Sequence, residues 1–463
     1  MKKNRNFFAE AKKNFTSKQV IIAFIATMSL LILFRIGASV TMPGVVIIDN
    51  SGEQTNSIFD ILDLLGGGGA SQLSFLSAGI SPYITAQIII QLLTSDLIKP
   101  LSNLSKSGEK GKRKVEMITR LLTVPFALAQ AFAILSLALS SGQIGILTEG
   151  VLVESISDLS PSDTTKYLFA MLAGTMISLF VADIITKRGV GNGVTLIILS
   201  GILASFYTNF ASVYFSFIPT GIQPGEELTL GIFFFICYVL LFVMLLIAAI
   251  FINSSVRKIP IQQTGASLTK DINELAYLPI KINPSGVIPI IFASSLLSIP
   301  ATIATFIDPT SQQAINDLIG LESPLGLTIY FILILMFSFF YSFIQINPEE
   351  ISKQFLKSGK YIPGVKAGMQ TEKYISRILL RINFIGAPAL GLIAIIPYIV
   401  SMTTGIPSGI AIGGTGIIII VSASIDFWQS MCSLQSNSYY VNTRRKIENH
   451  SDENNKTKPK YFW

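Results

Sequence analysis

Residues 41–73 read TMPGVVIIDNSGEQTNSIFDILDLLGGGGASQL and contain no lysine or arginine. The segment lies between two long apolar stretches, Val20–Phe34 and Ser74–Leu93. Beyond each stretch the chain turns basic. Lys2, Lys3, Arg5, Lys12, Lys13 and Lys18 precede the first, and the run Lys106–Lys114 follows the second. The alternation continues outward through eight further apolar stretches: Ile118–Leu139, Tyr167–Ile185, Val194–Phe210, Leu228–Ile252, Gly286–Phe306, Leu325–Ile346, Ile378–Val400 and Ile410–Leu434. The loops Ser140–Thr165, Ala211–Glu227, Ile307–Pro324 and Ser401–Gly409 are also free of Lys and Arg. The basic residues nearest to that side are Arg35, inside the first stretch, and Lys166, at the edge of the fourth. Loops that stay in the cytoplasm retain Lys and Arg because carrying those charges across a bilayer is disfavoured. The pattern predicts ten transmembrane helices with both termini cytoplasmic.

Composition agrees. Of 463 residues, 50% are hydrophobic and only 13% charged, where a soluble domain carries roughly 25% charged residues. Mean hydropathy is +0.60. No polar stretch is long enough for a separate soluble domain. The net charge of +7 is spread through the inner loops as topology requires, so it implies no direct nucleic acid substrate. An RNA-bearing partner such as a ribosome could still use the same surface. Cys237 and Cys432 each lie in an apolar helix, and His450 is the only histidine. That excludes a disulfide framework, a zinc site and histidine-based catalysis. The first stretch reads as a retained helix and not a cleaved leader: Arg35 interrupts its far end and no A-x-A site follows.

Within residues 41–73, Ile58–Leu65 carries a short amphipathic helical pattern followed by four glycines, Gly66–Gly69. No strand precedes the glycines and no GK[ST] follows, so they are no phosphate cradle. The segment is either a plain interhelical loop or a small element that re-enters the membrane, and the second would need a cavity around it. Gly79-Ile-Ser-Pro-Tyr-Ile84 in the second stretch resembles Gly286-Val-Ile-Pro-Ile-Ile291 in the seventh. These are corresponding places in two five-helix halves, and an odd count gives the halves opposite topology, the form of an inverted repeat. Ile80 with Ile84, and Val194 with Ile198, are four apart and share helix faces; spacing alone does not say that they line a pore. The inner segments Lys99–Arg120, Asn253–Asn283 and Asn347–Arg377 are long and basic, which suits docking of a soluble partner or simply obeys the charge rule. Arg35, Asp183 and Asp426 lie near helix ends, and no carboxylate sits mid-membrane, which argues against ion-coupled transport.

Taken in order, the local motifs resemble bacterial SecY, the family of central subunits of the protein-conducting channel. They are Phe34-Arg-Ile-Gly37 with Pro43-Gly44; Ile80–Ile84 with Ile88–Leu93; Gly108-Glu-Lys-Gly-Lys-Arg-Lys114; Arg188-Gly-Val-Gly-Asn-Gly193; Leu278-Pro-Ile-Lys-Ile-Asn283; Gly286–Ser295; Asn347-Pro-Glu-Glu350; Ser358-Gly359 with Ile362-Pro-Gly364; Gln370-Thr371 with Tyr374-Ile375; and Gly413-Gly-Thr415. The resemblance implies an all-α polytopic membrane protein, with ten transmembrane helices in two pseudo-symmetric inverted five-helix halves and a re-entrant plug. The expected divisions are a cytoplasmic N-tail (1–18), an N-terminal half (19–215, plug about 58–73), a C-terminal half (216–434) and a cytoplasmic C-tail (435–463).

By the same resemblance the pore ring is Ile80, Ile84, Val194, Ile198, Ile291 and Ile419, an apolar waist that excludes ions by dewetting. The plug includes Ile61, Leu64, Leu65, Gly66 and Gly67. Gln91 and Asn283 match polar positions of a lateral gate, and Arg257, Lys258 and Lys366 match sites of motor or ribosome docking. Lys366 stands where the family pattern usually has Arg, and Gly265-Ala266 replaces a second basic pair. The implied function is passage of unfolded secretory polypeptides and lateral release of membrane segments in the bacterial cell membrane. The implied partners are SecE and SecG, the SecA motor, the translating ribosome, polypeptides bearing signal sequences and membrane lipids. No catalytic residue, metal or cofactor is implied. Rival readings are an accessory SecY paralogue with a narrow substrate set, an inverted-repeat secondary transporter and a simple ion channel. The transporter would need a polar midplane site, and the ion channel a polar filter.

Overall fold

A computed structural model describes residues 18–47, 73–94, 99–140, 144–148, 151–153, 159–218, 226–263, 276–307, 318, 320–321, 323–404 and 412–456. Its helices are α1 (Lys18–Ser39), α2 (Ser81–Leu92), α3 (Lys99–Lys106), α4 (Glu109–Ser140), α5 (Pro161–Arg188), α6 (Gly193–Phe217), α7 (Glu226–Ser254), α8 (Ile288–Ile307), α9 (Pro324–Gln345), α10 (Pro348–Ser358), α11 (Met369–Thr404) and α12 (Ile412–Lys456). Among the described residues, eight helices are long and apolar enough to cross a membrane, beginning in α1, α4, α5, α6, α7, α9, α11 and α12. The protein is a multi-pass membrane protein.

The other two expected spans differ from a plain membrane helix. The stretch from Ser74 runs as turns until Ile80, and only Ser81–Leu92 is α-helical, 12 residues. Such a helix covers about 18 Å, short of the ~30 Å hydrocarbon core. In α8 the apolar run is Ile288–Pro300. These are the two stretches that share the Gly-x-x-Pro pattern, and their backbones solve one problem the same way. Gly79 takes φ 48° and Gly286 φ 64°, a left-handed turn that glycine adopts without a Cβ penalty. Pro82 and Pro289 then fall in the first helical turn, where a missing N–H leaves nothing unpaired. The amides of Tyr83 and Ile84 both bond to Ile80 O, and those of Ile290 and Ile291 both bond to Val287 O. The match covers four equivalent donors and two equivalent acceptors.

Short strands, which the apolar pattern did not foretell, cap the bundle at both ends. On the face free of Lys and Arg, β1 (Val45–Ile47), β2 (Ile144–Thr148) and β3 (Val151–Val153) form an antiparallel sheet in the order β1-β2-β3, with Val45 opposite Ile146 and Ile146 opposite Val153. Tyr167 Oη donates to Pro43 O at 3.0 Å. Thr41 pairs with Ser74, and Met42 N donates to Leu73 O at 3.0 Å. The chain therefore leaves and rejoins the described structure at neighbouring points, over a cluster of Met42, Leu73, Ile134, Leu135 and Ile146. The expected plug residues Ile61, Leu64, Leu65, Gly66 and Gly67 lie outside the described residues.

At the basic face the two long loops fold together. Strands β4 (Val256–Pro260) and β6 (Tyr277–Lys281) form a hairpin-like pair, and β5 (Gln262–Gln263) pairs with β7 (Lys360–Tyr361). Ile259, Ile261 and Ile280 from one loop bury against Phe355, Ile362 and Ile375 from the other. Helix α10 has strong local signals. Asn347 Oδ1 accepts from the amides of Glu349 and Glu350, Pro348 fills the first turn, and Gly359 ends the helix at φ 63°.

Candidate functional site

Helix α8 packs against both α2 and α4. Around that junction one apolar cluster gathers all six residues expected to form a ring. Ile80, Ile84, Ile198, Ile291 and Ile419 are buried in it and Val194 packs against its edge. They arrive from four places in the chain: the start of α2, the first two turns of α6, the first turn of α8 and the second turn of α12. The lead-in turns of α2 and α8 set Ile84 and Ile291 at equivalent backbone positions. The first turn of α6 is set by Asn192, whose Oδ1 accepts from Val194 N at 3.0 Å. The preceding Arg188–Gly193 motif is structural. Val190 N donates to Thr27 Oγ1 at 2.9 Å, and a Cβ on Gly193 would lie 2.0 Å from Ala182 O, so α5 and α6 turn tightly against α1.

The seam where α8 meets α2 and α4 carries polar groups that periodicity did not single out. Gln130 of α4 donates through Nε2 to Ser81 Oγ at 3.2 Å, while its Oε1 is buried without a partner. Ser295 of α8 is 1% exposed, and its hydroxyl also lacks a partner. Of the two expected gate residues, Gln91 on α2 reaches toward Tyr341 of α9, with its Oε1 unpaired. Asn283 does not reach across to α2. Its Nδ2 donates to Asn253 Oδ1 at 3.1 Å and to Gly286 O at 2.9 Å, and its Oδ1 accepts from Ser285 Oγ at 2.9 Å. Ser285 Oγ lies 3.3 Å from Ser338 Oγ of α9, and Ser342 Oγ donates to Asn383 Oδ1 of α11 at 2.9 Å.

Asn253, Asn283 and Ser285 line a cavity of about 410 Å³, bounded also by Asn192, Tyr341 and Ser422. The ion pair Lys281 Nζ–Asp426 Oδ1, 3.2 Å long, lies in its wall. Asp183 has a similar fate: Arg120 of α4 bridges it and Glu116, each at 2.6 Å. Both aspartates that the sequence leaves near helix ends are thus engaged by cations.

The expected docking residues share the folded unit of the basic face. Arg257 and Lys258 are exposed on β4, with Lys258 Nζ 4.7 Å from the centroid of the Tyr277 ring. Lys366 is exposed in the turn before α11, where its carbonyl accepts from Thr371 Oγ1 at 3.0 Å. The pairing of β5 with β7 joins the two loops. That pairing could not be read from residues separated by most of two membrane helices.

A bundle of membrane helices in which two turn-led helices meet in one apolar cluster has the fold of the protein-conducting channels. One solved structure described as that of a protein conducting channel matches with a TM-score of 0.61 at 16% identity, covering 89% of this chain and 92% of that one. Sec61 in a canine ribosome–channel complex from the endoplasmic reticulum matches with a TM-score of 0.58 at 15% identity, again over 89% and 92%. The SecY family model matches residues 74–428. The protein translocase subunit SecY of Mycoplasma pneumoniae is 47% identical over 96% of this chain and 93% of its own length. That of Staphylococcus aureus is 33% identical over 92% and 97%. The chain belongs to the SecY family.

Proposed function

We propose that this chain is the pore-forming subunit of a bacterial Sec translocase, passing unfolded secretory polypeptides across the cell membrane and releasing membrane segments sideways. The observation that carries the reading is the convergence of Ile80, Ile84, Val194, Ile198, Ile291 and Ile419 into one apolar cluster. Such a waist resists wetting, and so resists ions, yet can deform around a polypeptide of any sequence. In this reading the chain divides into an N-terminal half (19–215) and a C-terminal half (216–434), with tails at 1–18 and 435–463. The basic face is cytoplasmic, residues 58–73 act as the plug, and the seam of α2 and α4 with α8 and α9 is the lateral gate. The chain is a conduit without catalytic residues or cofactors. SecA's ATP hydrolysis, the proton-motive force or ribosomal elongation supplies the energy, and SecE and SecG complete the membrane complex. The paired state of Asp183 and Asp426 disfavours the secondary-transporter alternative, which needs carboxylates available near the midplane.

Reconstituted vesicles containing this chain, its small partners and SecA test the reading. ATP-driven uptake of a signal-bearing polypeptide is expected. Its absence, with the complex intact, would contradict the assignment. In the same vesicles Lys366→Glu should slow SecA-dependent uptake strongly without lowering the amount of channel. Lys366→Arg should be tolerated, because charge is kept and a fork that can bridge a carboxylate is gained. Normal uptake through the Glu variant would remove Lys366 from the docking surface.

A further inference from the structure

Asn253 lies in the last turn of α7, in the wall of the cavity described above, and is only 5% exposed. Its Nδ2 donates to Ala249 O at 3.0 Å, within its own helix, which leaves Oδ1 aimed at Asn283 Nδ2 at 3.1 Å. Asn283, 2% exposed, uses the same amide nitrogen to hold Gly286 O at 2.9 Å. Gly286 is the left-handed residue whose turn starts α8, and the first turn of α8 carries Ile291. A Cβ on Gly286 would meet only Ser422 Oγ, at 3.9 Å. Side-chain crowding therefore does little to hold this turn, and the carboxamide holds it instead. The cavity beside Asn253 and Asn283 adds to the case, because space on that side gives the turn room to move.

We propose that Asn253 is a positioning residue for the apolar waist: acting through Asn283, it fixes the turn from which α8 presents Ile291. The proposal rests on the channel reading given above. Without the Asn253 acceptor, one Asn283 proton is left buried and unpaired. Asn283 then gains by turning toward water in the cavity and releasing Gly286 O. The waist should loosen without any change to a ring residue.

The test uses the assembled channel in planar bilayers and vesicles, comparing ion leak per channel and the ratio of uptake of a substrate with a defective signal to one with an intact signal. Asn253→Leu should raise both by roughly five-fold or more, the low end of what an unpaired buried donor costs. Asn253→Asp keeps the acceptor for Asn283 but loses the donor to Ala249 O, so it should restore both in part. In an Asn283→Ala background Asn253→Leu should add nothing, since its effect runs through Asn283. If Asn253→Leu does not accumulate, Asn253→Ser, whose hydroxyl is too short to reach, carries the same expectations. A merely structural role would lower the amount of channel and leave leak and signal ratio per channel unmoved, and that result would overturn the proposal. So would additive effects of the two changes. Ile419→Asn in the same bilayers separates the two readings. If it raises the leak and Asn253→Leu does not, the positioning role alone falls. If Ile419→Asn leaves the leak unchanged, the waist falls and the proposal with it.

Discussion

The lead-in turns of α2 and α8 share one backbone and are supported by different means. Both place glycine in the left-handed region, proline in the first helical turn and an isoleucine in the shared apolar cluster. At Gly79 much of the support is local, with Gln130 of α4 adding one bond to Ser81 Oγ. Ser74 Oγ accepts from Leu76 N at 3.2 Å, Ser77 N donates to Ser74 O, and Gly79 N donates to Leu76 O at 2.9 Å. At Gly286 the support comes from afar, through Asn283 to Asn253 and through Ser285 to Ser338. A repeat can therefore keep its geometry in glycine, proline and aliphatic residues while its polar scaffolding diverges. The second turn draws on α7 and α9, whereas the first draws on α4 through Gln130 and on the Thr41–Ser74 bridge.

If the turns are equivalent at the waist, Ile84→Asn and Ile291→Asn should behave alike and give the largest effects. An amide placed in an apolar constriction disfavours the dry state by ~1–3 kcal/mol, so leak should rise about ten-fold or more. A leak from only one of the two would break the equivalence. The polar scaffolds should part company. Asn283→Ala orphans buried partners and should lower the stability of the detergent-solubilised complex by ~1–3 kcal/mol, whereas Ser74→Ala should lose ~0.5–1.5 kcal/mol. Thermal unfolding of the two variants side by side measures the difference, and equal losses would remove the asymmetry. Gly79→Ala and Gly286→Ala should each lose about 1–2 kcal/mol, because the left-handed conformation itself is the common element. The smallest effect belongs to Lys281 and Asp426, whose side chains are 36% and 54% exposed. Reversing one charge should shift stability by ~1 kcal/mol or less, more at low salt, and reversing both should restore it. A single reversal without effect at low salt would show that the pair contributes nothing.

The sequence made some of this legible and hid the rest for physical reasons. Spans follow from Lys and Arg because the charge rule acts residue by residue, whereas α10 was read only as part of the Asn347–Arg377 loop, although Asn347, Pro348 and Gly359 are local helix signals. The matched turns were visible as Gly-x-x-Pro, though not the consequence that α2 begins only at Ser81 and runs 12 residues. The Asn253–Asn283–Ser285–Ser338 chain was not legible. Its members lie 30 and 53 residues apart where they meet, and isolated asparagines and serines near helix ends look alike. For the same reason Gln130 and Ser295 of the seam passed unremarked. The pairing of Gln262–Gln263 with Lys360–Tyr361 involves two residues a side, too few for any period to show.

In the channel proposed above, a polypeptide in transit passes through the cluster formed by the two turns, α6 and α12. The most direct measurement arrests a translocating substrate that carries one cysteine and asks, under mild oxidation and with Cys237 and Cys432 replaced, which single cysteines of the channel form a disulfide with it. Cysteines at positions 84, 198, 291 and 419 should all be cross-linked as the substrate cysteine reaches one depth. Cysteines replacing Met244 and Phe251, which are 73% and 72% exposed on α7, should not be. Cross-linking of the α7 positions with the waist positions silent would contradict the claim.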